Sequence, residues 1–247
     1  MRILVCVKRV PLTGGRMVLT ADERALETRH LGFTISPHEE CGVEEAVRIA
    51  EQQGGEVTVL TLGPPEAEEQ IRETLAMGAD HGILLETDGE EWDPEATAAA
   101  ITEHAADYDL IIFGNESADS GNYQVGIRVA YALGRPVVTG LKGLTIEDGR
   151  ARCEQEVAGG RDVYDVPLPA VVSVLEGINL PRYPSVPAKL RARQKPIERI
   201  TPERPEPRLE KVRLVVPEGQ GKQAEILGEG ADAAPVVVNV MRELGVA

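Results

Sequence analysis

Aromatic residues make up only 3% of the 247 positions, with one Trp and two Phe. Single-stranded nucleic acid binds on exposed aromatic platforms, so so few rings argue against that partner. The formal net charge of −15 points the same way, because nucleic acid and anionic membranes select basic proteins. The three cysteines, Cys6, Cys41 and Cys153, form no CxxC. They suit a reducing compartment and offer neither a disulfide framework nor a zinc knuckle. His30, His38, His81 and His104 show no HxxxH or HExxH spacing, and no metal site is expected. No apolar run approaches the roughly 20 residues that span a bilayer, and no leader precedes the first apolar run. The expectation is a soluble cytoplasmic protein, or a mitochondrial matrix protein in a eukaryote, without membrane insertion.

Catalytic signatures are missing too. There is no GxSxG elbow and no GxxxxGK[ST] loop. Gly14-Gly15 lacks the Ser-Gly-Gly-x-Asp-Ser context of an ATP pyrophosphatase. Cys6 is flanked by apolar residues and reads as a structural thiol. The carboxylate pairs Glu39-Glu40, Glu44-Glu45 and Glu90-Glu91 read as solvated faces. A chain of this kind is expected to bind or carry, not to catalyse.

What is present is an alternation of strand and helix signals. Ile3 to Val7, Glu56 to Leu62, Gly82 to Leu85 and Asp109 to Phe113 are short apolar runs of the buried-strand type. Between them lie helices. Ser36-Pro37-His38-Glu39 is a capping-box entry, followed by Val43, Ala46, Val47 and Ala50 at helical spacing. A second helix runs through Ile71 and Leu75 to a stop at Gly78, and Asp93-Pro94 opens a third that runs to about Ala106. Lys8 to Thr34 is a long excursion after the first strand. The first half thus predicts a doubly wound α/β unit with a parallel sheet. Ligands of such sheets bind at the carboxyl ends of the strands.

One loop stands out at such an end. Gly114-Asn115-Glu116-Ser117-Ala118-Asp119-Ser120-Gly121-Asn122-Tyr123-Gln124-Val125 joins the fourth strand to a helix through Ile127, Val129, Ala130 and Leu133. Glycines and a helix start suit a phosphate; an ordinary connection in which Asp119 or Ser120 caps the helix is the alternative.

From Pro136 the pattern changes to short alternating runs at Leu144–Ile146, Ala151–Val157 and Pro169–Val174, with turns at Gly149 and Gly159-Gly160. These read as added antiparallel strands. Six basic residues and one acid, Glu198, lie between Arg182 and Arg199. Thr201 to Ala234 reads as an extended arm, closed by a short helix over Pro235 to Leu244.

Several runs resemble the β subunit of electron transfer flavoprotein, including its Fix-type branch. They are Val7-Lys8-Arg9-Val10, Val43-Glu44-Glu45-Ala46-Val47-Arg48, Leu75-Ala76-Met77-Gly78-Ala79-Asp80 and Cys153-Glu154-Gln155-Glu156-Val157-Ala158-Gly159-Gly160. Leu168 to Ser173, Pro181-Arg182-Tyr183 and Lys195-Pro196-Ile197-Glu198 extend the match. The resemblance implies a Rossmann-like sheet of the adenine nucleotide alpha hydrolase kind over residues 1–180. Residues 181–247 would then be a docking loop and an arm wrapping an α subunit. It implies AMP on this chain and FAD mainly on the α subunit, shared at the interface of the heterodimer. Electrons would pass from acyl-CoA-type and other dehydrogenases to a quinone oxidoreductase. By matching position, AMP would meet Cys6, Ser36, Pro37, His38, Glu39, Leu62 and residues Gly114 through Val125. Docking would use Tyr183, Val186 as the apolar anchor, Pro187, Arg191 and Arg193.

The chain departs from the pattern at His38, where an aromatic is common, at Asn122-Tyr123, at Gln155 and Ala158, and at Ile127. The last bears on a branch that bifurcates electrons and carries a second FAD in place of AMP, with proline at that position. Two further readings therefore stand beside the first: that bifurcating subunit, and a stand-alone nucleotide sensor of the stress-protein type.

Overall fold

The computed structural model describes residues 1–12, 17–216 and 226–246. Gly14-Gly15 and residues 217–225 of the expected arm lie outside the described residues. In chain order, the first half comprises β1 (Arg2–Cys6), β2 (Val10–Pro11), β3 (Phe33–Thr34), α1 (Pro37–Gln53), β4 (Glu56–Gly63), α2 (Glu68–Met77), β5 (His81–Glu86), α3 (Pro94–Thr102), β6 (Leu110–Gly114) and α4 (Val125–Leu133). The second half adds β7 (Val137–Glu147), β8 (Arg150–Val157), β9 (Gly160–Pro167), β10 (Ala170–Val174), α5 (Val186–Ala192), β11 (Ile197–Ile200) and α6 (Ala234–Glu243).

Local chemistry accounts for the helix ends. Ser36 accepts the Glu39 N–H while the Glu39 carboxyl takes the Ser36 N–H, so the expected capping box starts α1. Asp93 accepts the Ala96 N–H at 2.8 Å and starts α3. That helix ends at Thr102, short of the expected Ala106. Beyond it the chain continues in tighter turns, with the His104 N–H donating to the Ile101 carbonyl at 3.1 Å.

Among the described residues the frame is a nine-stranded sheet in the order β11-β5-β4-β1-β6-β10-β7-β8-β9. All pairings from β11 to β7 are parallel, and β7-β8-β9 form an antiparallel ribbon. One face carries α1, α2 and α5 over Ile3, Val5, Val57 and Ile112. The other carries α3 and α4 over Leu4, Leu60, Ile111 and Val171. Each fully buried Leu or Ile here contributes about 1.5–3 kcal/mol.

Three expectations need correction. Pro169–Val174 was read as antiparallel; β10 instead lies in the interior of the sheet, parallel to both β6 and β7. All five of its residues are buried, and a strand covered on both faces is what a parallel sheet requires. Arg161 to Pro167 and Ile197 to Ile200, assigned to no strand, form β9 and the edge strand β11. β9 is largely exposed and β11 is a four-residue edge strand whose Ile197 and Ile200 are half-buried, so neither carries a strong apolar signal. The chain beyond residue 180 therefore adds α5 and β11 to this unit before it extends.

The third correction concerns the carboxylate pairs. Glu39, Glu44 and Glu45 are buried, at 5%, 3% and 9% exposure. Arg182 explains Glu44: its backbone N–H and its Nε both donate to Oε2, at 3.1 and 2.8 Å, and its Nη1 reaches Glu51 at 2.7 Å. Asn179 donates to Glu45 at 2.8 Å. The segment leaving β10 lies along α1 and covers these side chains. Glu90 and Glu91 are exposed as expected, yet they anchor the arm. Arg204 reaches Glu90 at 2.5 Å, Lys211 pairs with Glu91, and the Arg208 N–H donates to Asp93 at 2.8 Å.

Removing the guanidinium would leave Glu44 buried with only Arg48, at 3.1 Å, and the backbone N–H of residue 182 beside it. Arg182→Ala is expected to cost about 3 kcal/mol in urea unfolding, and adding Glu44→Gln should recover part of that loss. Equal losses in the single and double variants would contradict the buried-charge account.

Candidate functional site

The strand order reverses between β1 and β6, whose neighbours on either side are reached by crossovers in opposite directions. The crevice at such a switch point is where doubly wound sheets place their ligands. Three chain segments meet there: Cys6 to Lys8 after β1, the start of α1, and the loop after β6.

They are joined by the Glu39 carboxyl. It accepts the Lys8 N–H at 3.0 Å and the Ser36 N–H at 2.9 Å. Burial pushes this carboxyl up to about 8, although both backbone donors and the Lys8 ammonium pull against the rise. Gly114 lets the helix start approach: a Cβ there would lie 2.7 Å from the Glu39 Cγ and 3.2 Å from the His38 Cβ. The Ser36 hydroxyl donates to the Glu116 carbonyl at 3.2 Å. Cys6 is buried beneath, its thiol pushed far up by burial and by Glu39, which disfavours a nucleophilic thiolate.

The loop itself is organised by charge and small side chains. The Lys8 ammonium lies 2.6 Å from Asp119 and 3.3 Å from the Ser120 hydroxyl. Burial works against ionised Asp119, but Lys8 and two serine contacts hold its carboxyl below the ordinary range. Asn115 donates its N–H to Val174 at 2.9 Å and accepts from the Ser173 hydroxyl at 3.0 Å. Gly121 and Tyr123 both take left-handed φ angles, 53° and 57°. Asn122 and Tyr123 are exposed, as are Ala118 and Pro37.

The two helix starts differ. At α1 the Ser36 and Glu39 N–H groups are taken up within the capping box and Pro37 has no N–H, which leaves the His38 N–H as the first-turn donor outside the box. At α4 the cap position is Gln124, and no side chain caps it. Asp119 and Ser120, the expected alternative caps, are occupied with Lys8 instead. The Val125, Gly126 and Ile127 N–H groups thus lie in a first turn with no intrahelical acceptor.

Leu62, on β4, lies on the far side of β1 from the switch point. Tyr183, Val186, Pro187, Arg191 and Arg193 gather elsewhere, around α5. The expected docking loop is partly a helix: Ser185 accepts the Ala188 N–H at 3.3 Å and Pro187 fits the first turn. Tyr183 and Val186 are 88% and 72% exposed, with the Lys189 ammonium 5.1 Å over the Tyr183 ring. Two contributors were missed. Lys8 was recognisable as the cation directly following the first strand, whereas Ser173 was hidden by the antiparallel reading of β10. Among the described residues no group of three metal-ligating side chains is found, and no helix is long and apolar enough to cross a membrane.

A doubly wound, mostly parallel sheet with a loop-and-helix crevice at its switch point defines a Rossmann-like α/β protein. Residues 25–205 match the family model described as the electron transfer flavoprotein domain. The chain is 31% identical to the electron transfer flavoprotein subunit beta of Bacillus subtilis, over 98% of both chains. It is 35% identical to the mitochondrial electron transfer flavoprotein subunit beta of Arabidopsis thaliana, covering 81% of this chain and 82% of that one. Identity is also 35% to subunit CarD of the caffeyl-CoA reductase–Etf complex of Acetobacterium woodii, over 80% of this chain and 77% of that one. The chain belongs to the electron transfer flavoprotein family, as a β subunit. Membership brings an electron-transfer role, association with flavin or nucleotide, and an α-subunit partner.

Two substitutions probe the junction. Gly114→Ala is expected to push α1 away from β6 and to cost about 1–3 kcal/mol in denaturant unfolding. A variant as stable as the parent would show that the helix start can shift freely. For Glu39 the folded carboxyl titrates at about 8, above its ordinary 4.5. A raised value means that folding favours the protonated acid. Its contribution is complete below about pH 4.5 and is lost as pH rises towards 8. Relative to Glu39→Gln, the parent should therefore lose stability across that window, by up to about 1.4 kcal/mol per pH unit, and level off above it. Parallel stability curves for the two proteins would count against the burial of a titrating acid.

Proposed function

We propose that this β subunit holds AMP in the crevice between β1 and β6 and supports the FAD of its α subunit. The observation that carries the reading is the uncapped first turn of α4. Its three N–H groups converge where a phosphate gains most from the helix dipole. Ile127 matters here, because it keeps an N–H that a proline would lack. Cys6 offers an apolar side chain at the carboxyl end of β1 for an adenine, and the Lys8 ammonium, paired with Asp119, also reaches the Ser120 hydroxyl. Together these features suit a nucleoside monophosphate held as a structural ligand.

The chain itself carries out no substrate chemistry on this reading. It positions the partner's flavin, through which electrons pass from acyl-CoA-type and other dehydrogenases to a quinone oxidoreductase. Tyr183 and Val186, followed by Lys189, Arg191, Arg193 and Lys195, form an apolar knob flanked by steering charge, which suits short-lived redox encounters. The cytoplasm, or the matrix of a mitochondrion, is the compartment proposed. Residues 1–180 carry the nucleotide, and the remainder presents the docking element and the arm.

A second reading, the bifurcating branch of the family, puts a second FAD in the same crevice in place of AMP. Co-purifying the chain with its α subunit, denaturing the complex and counting released ligands separates the two. One FAD and one AMP per heterodimer is the expected result. Two FAD and no AMP would overturn the AMP assignment.

A further inference from the structure

We propose that His38 is a positioning residue that ties the loop after β6 to the segment that carries the docking element. Its imidazole sits between the two. The Glu176 N–H donates to Nδ1 at 2.7 Å, while Nε2 lies 3.5 Å from the Glu116 carboxyl. An Nδ1 that accepts a backbone N–H has no proton of its own, so the hydrogen of the neutral ring is on Nε2, facing Glu116. The ring is held in place from below, because the His38 Cβ packs against Gly114 at the end of β6.

Glu176 begins a run that stays on α1 until the docking element starts. Asn179 donates to the Cys41 carbonyl at 3.0 Å and to Glu45, and Arg182 grips Glu44 and Glu51. Tyr183 follows directly, then the cap and first turn of α5. On the other side Glu116 belongs to the loop whose Ser36, Lys8 and Ser173 contacts are described above. His38 is the side chain of α1 that touches both segments at once. Asn179 and Arg182 act further along and reach only the docking side.

The tie itself is independent of what the crevice binds. Its consequence, that filling the crevice steadies Tyr183 and Val186, rests on the nucleotide reading. Two variants separate acceptor from shape. His38→Asn keeps an acceptor oxygen near the Nδ1 position, whereas His38→Phe keeps a ring and removes the acceptor.

Hydrogen exchange on the full chain in complex with its α subunit tests the tie. His38→Phe should lower protection of peptides covering residues 176–182 by about tenfold, and His38→Asn should stay close to the parent. Unchanged protection in His38→Phe, or equal loss in both variants, overturns the proposal. AMP is then added to the nucleotide-stripped complex. It should protect 115–124 and 176–182 in the parent but only 115–124 in His38→Phe. Protection of both regions in both proteins would refute transmission through His38. Protection of neither in the parent would refute the nucleotide reading, and the first comparison would still decide the tie.

Discussion

The Glu39 carboxyl accepts the Lys8 and Ser36 N–H groups, and so sets where the first helix begins relative to the first strand. Between those two points the chain makes a long excursion, and nothing in a local propensity rule would bring its ends back together. A buried acceptor shared by two backbone donors does so, because leaving either donor unpaired in the interior costs about 1–3 kcal/mol. Gly114 supplies the space, since any side chain there would collide with the helix start. The crevice at the switch point inherits its shape from this junction. The burial that makes the acceptor effective is also what raises the carboxyl above its ordinary range.

From that junction α1 becomes the element on which the site and the docking surface are both assembled. Its first turn receives the loop after β6 through Ser36 and His38. Its later turns hold the segment after β10 through Cys41, Glu44, Glu45 and Glu51. Its capping box takes up the Ser36 and Glu39 N–H groups, whereas no side chain caps the α4 start. Two helix starts at one crevice thus take different parts, one structural and one open.

The strongly acidic composition has a related use. Many of the basic residues in the latter part of the chain meet acids of the same chain: Arg182 on α1, Arg199 on Glu68 and Glu86, Arg204 and Lys211 on Glu90 and Glu91. The arm begins as a strap across its own α/β unit. Near the surface such pairs are screened by solvent and add little stability. Arg182 is the exception, because its partner Glu44 is buried.

Elements with a strong local signal were legible from residue order. The capping box at Ser36, the Asp93-Pro94 start, the Gly78 stop and the apolar runs of β1, β4, β5 and β6 all appear where periodicity places them. The loop after β6 could be recognised for the same reason, being glycines between a strand and a helix. What could not be read were relations between distant segments. Nothing in Ala170–Val174 states which strands it will lie between, so its direction came out wrong and Ser173 was missed. Glu44 and Glu45 look like a solvated pair until Arg182 and Asn179 are laid over them. Ser36 to Glu39 was a correct helix start, yet nothing in its order shows that the Glu39 carboxyl also takes the Lys8 N–H. Periodicity and caps act over a few residues and are written in their order; burial and pairing depend on which remote segment arrives, and only the packed fold supplies that.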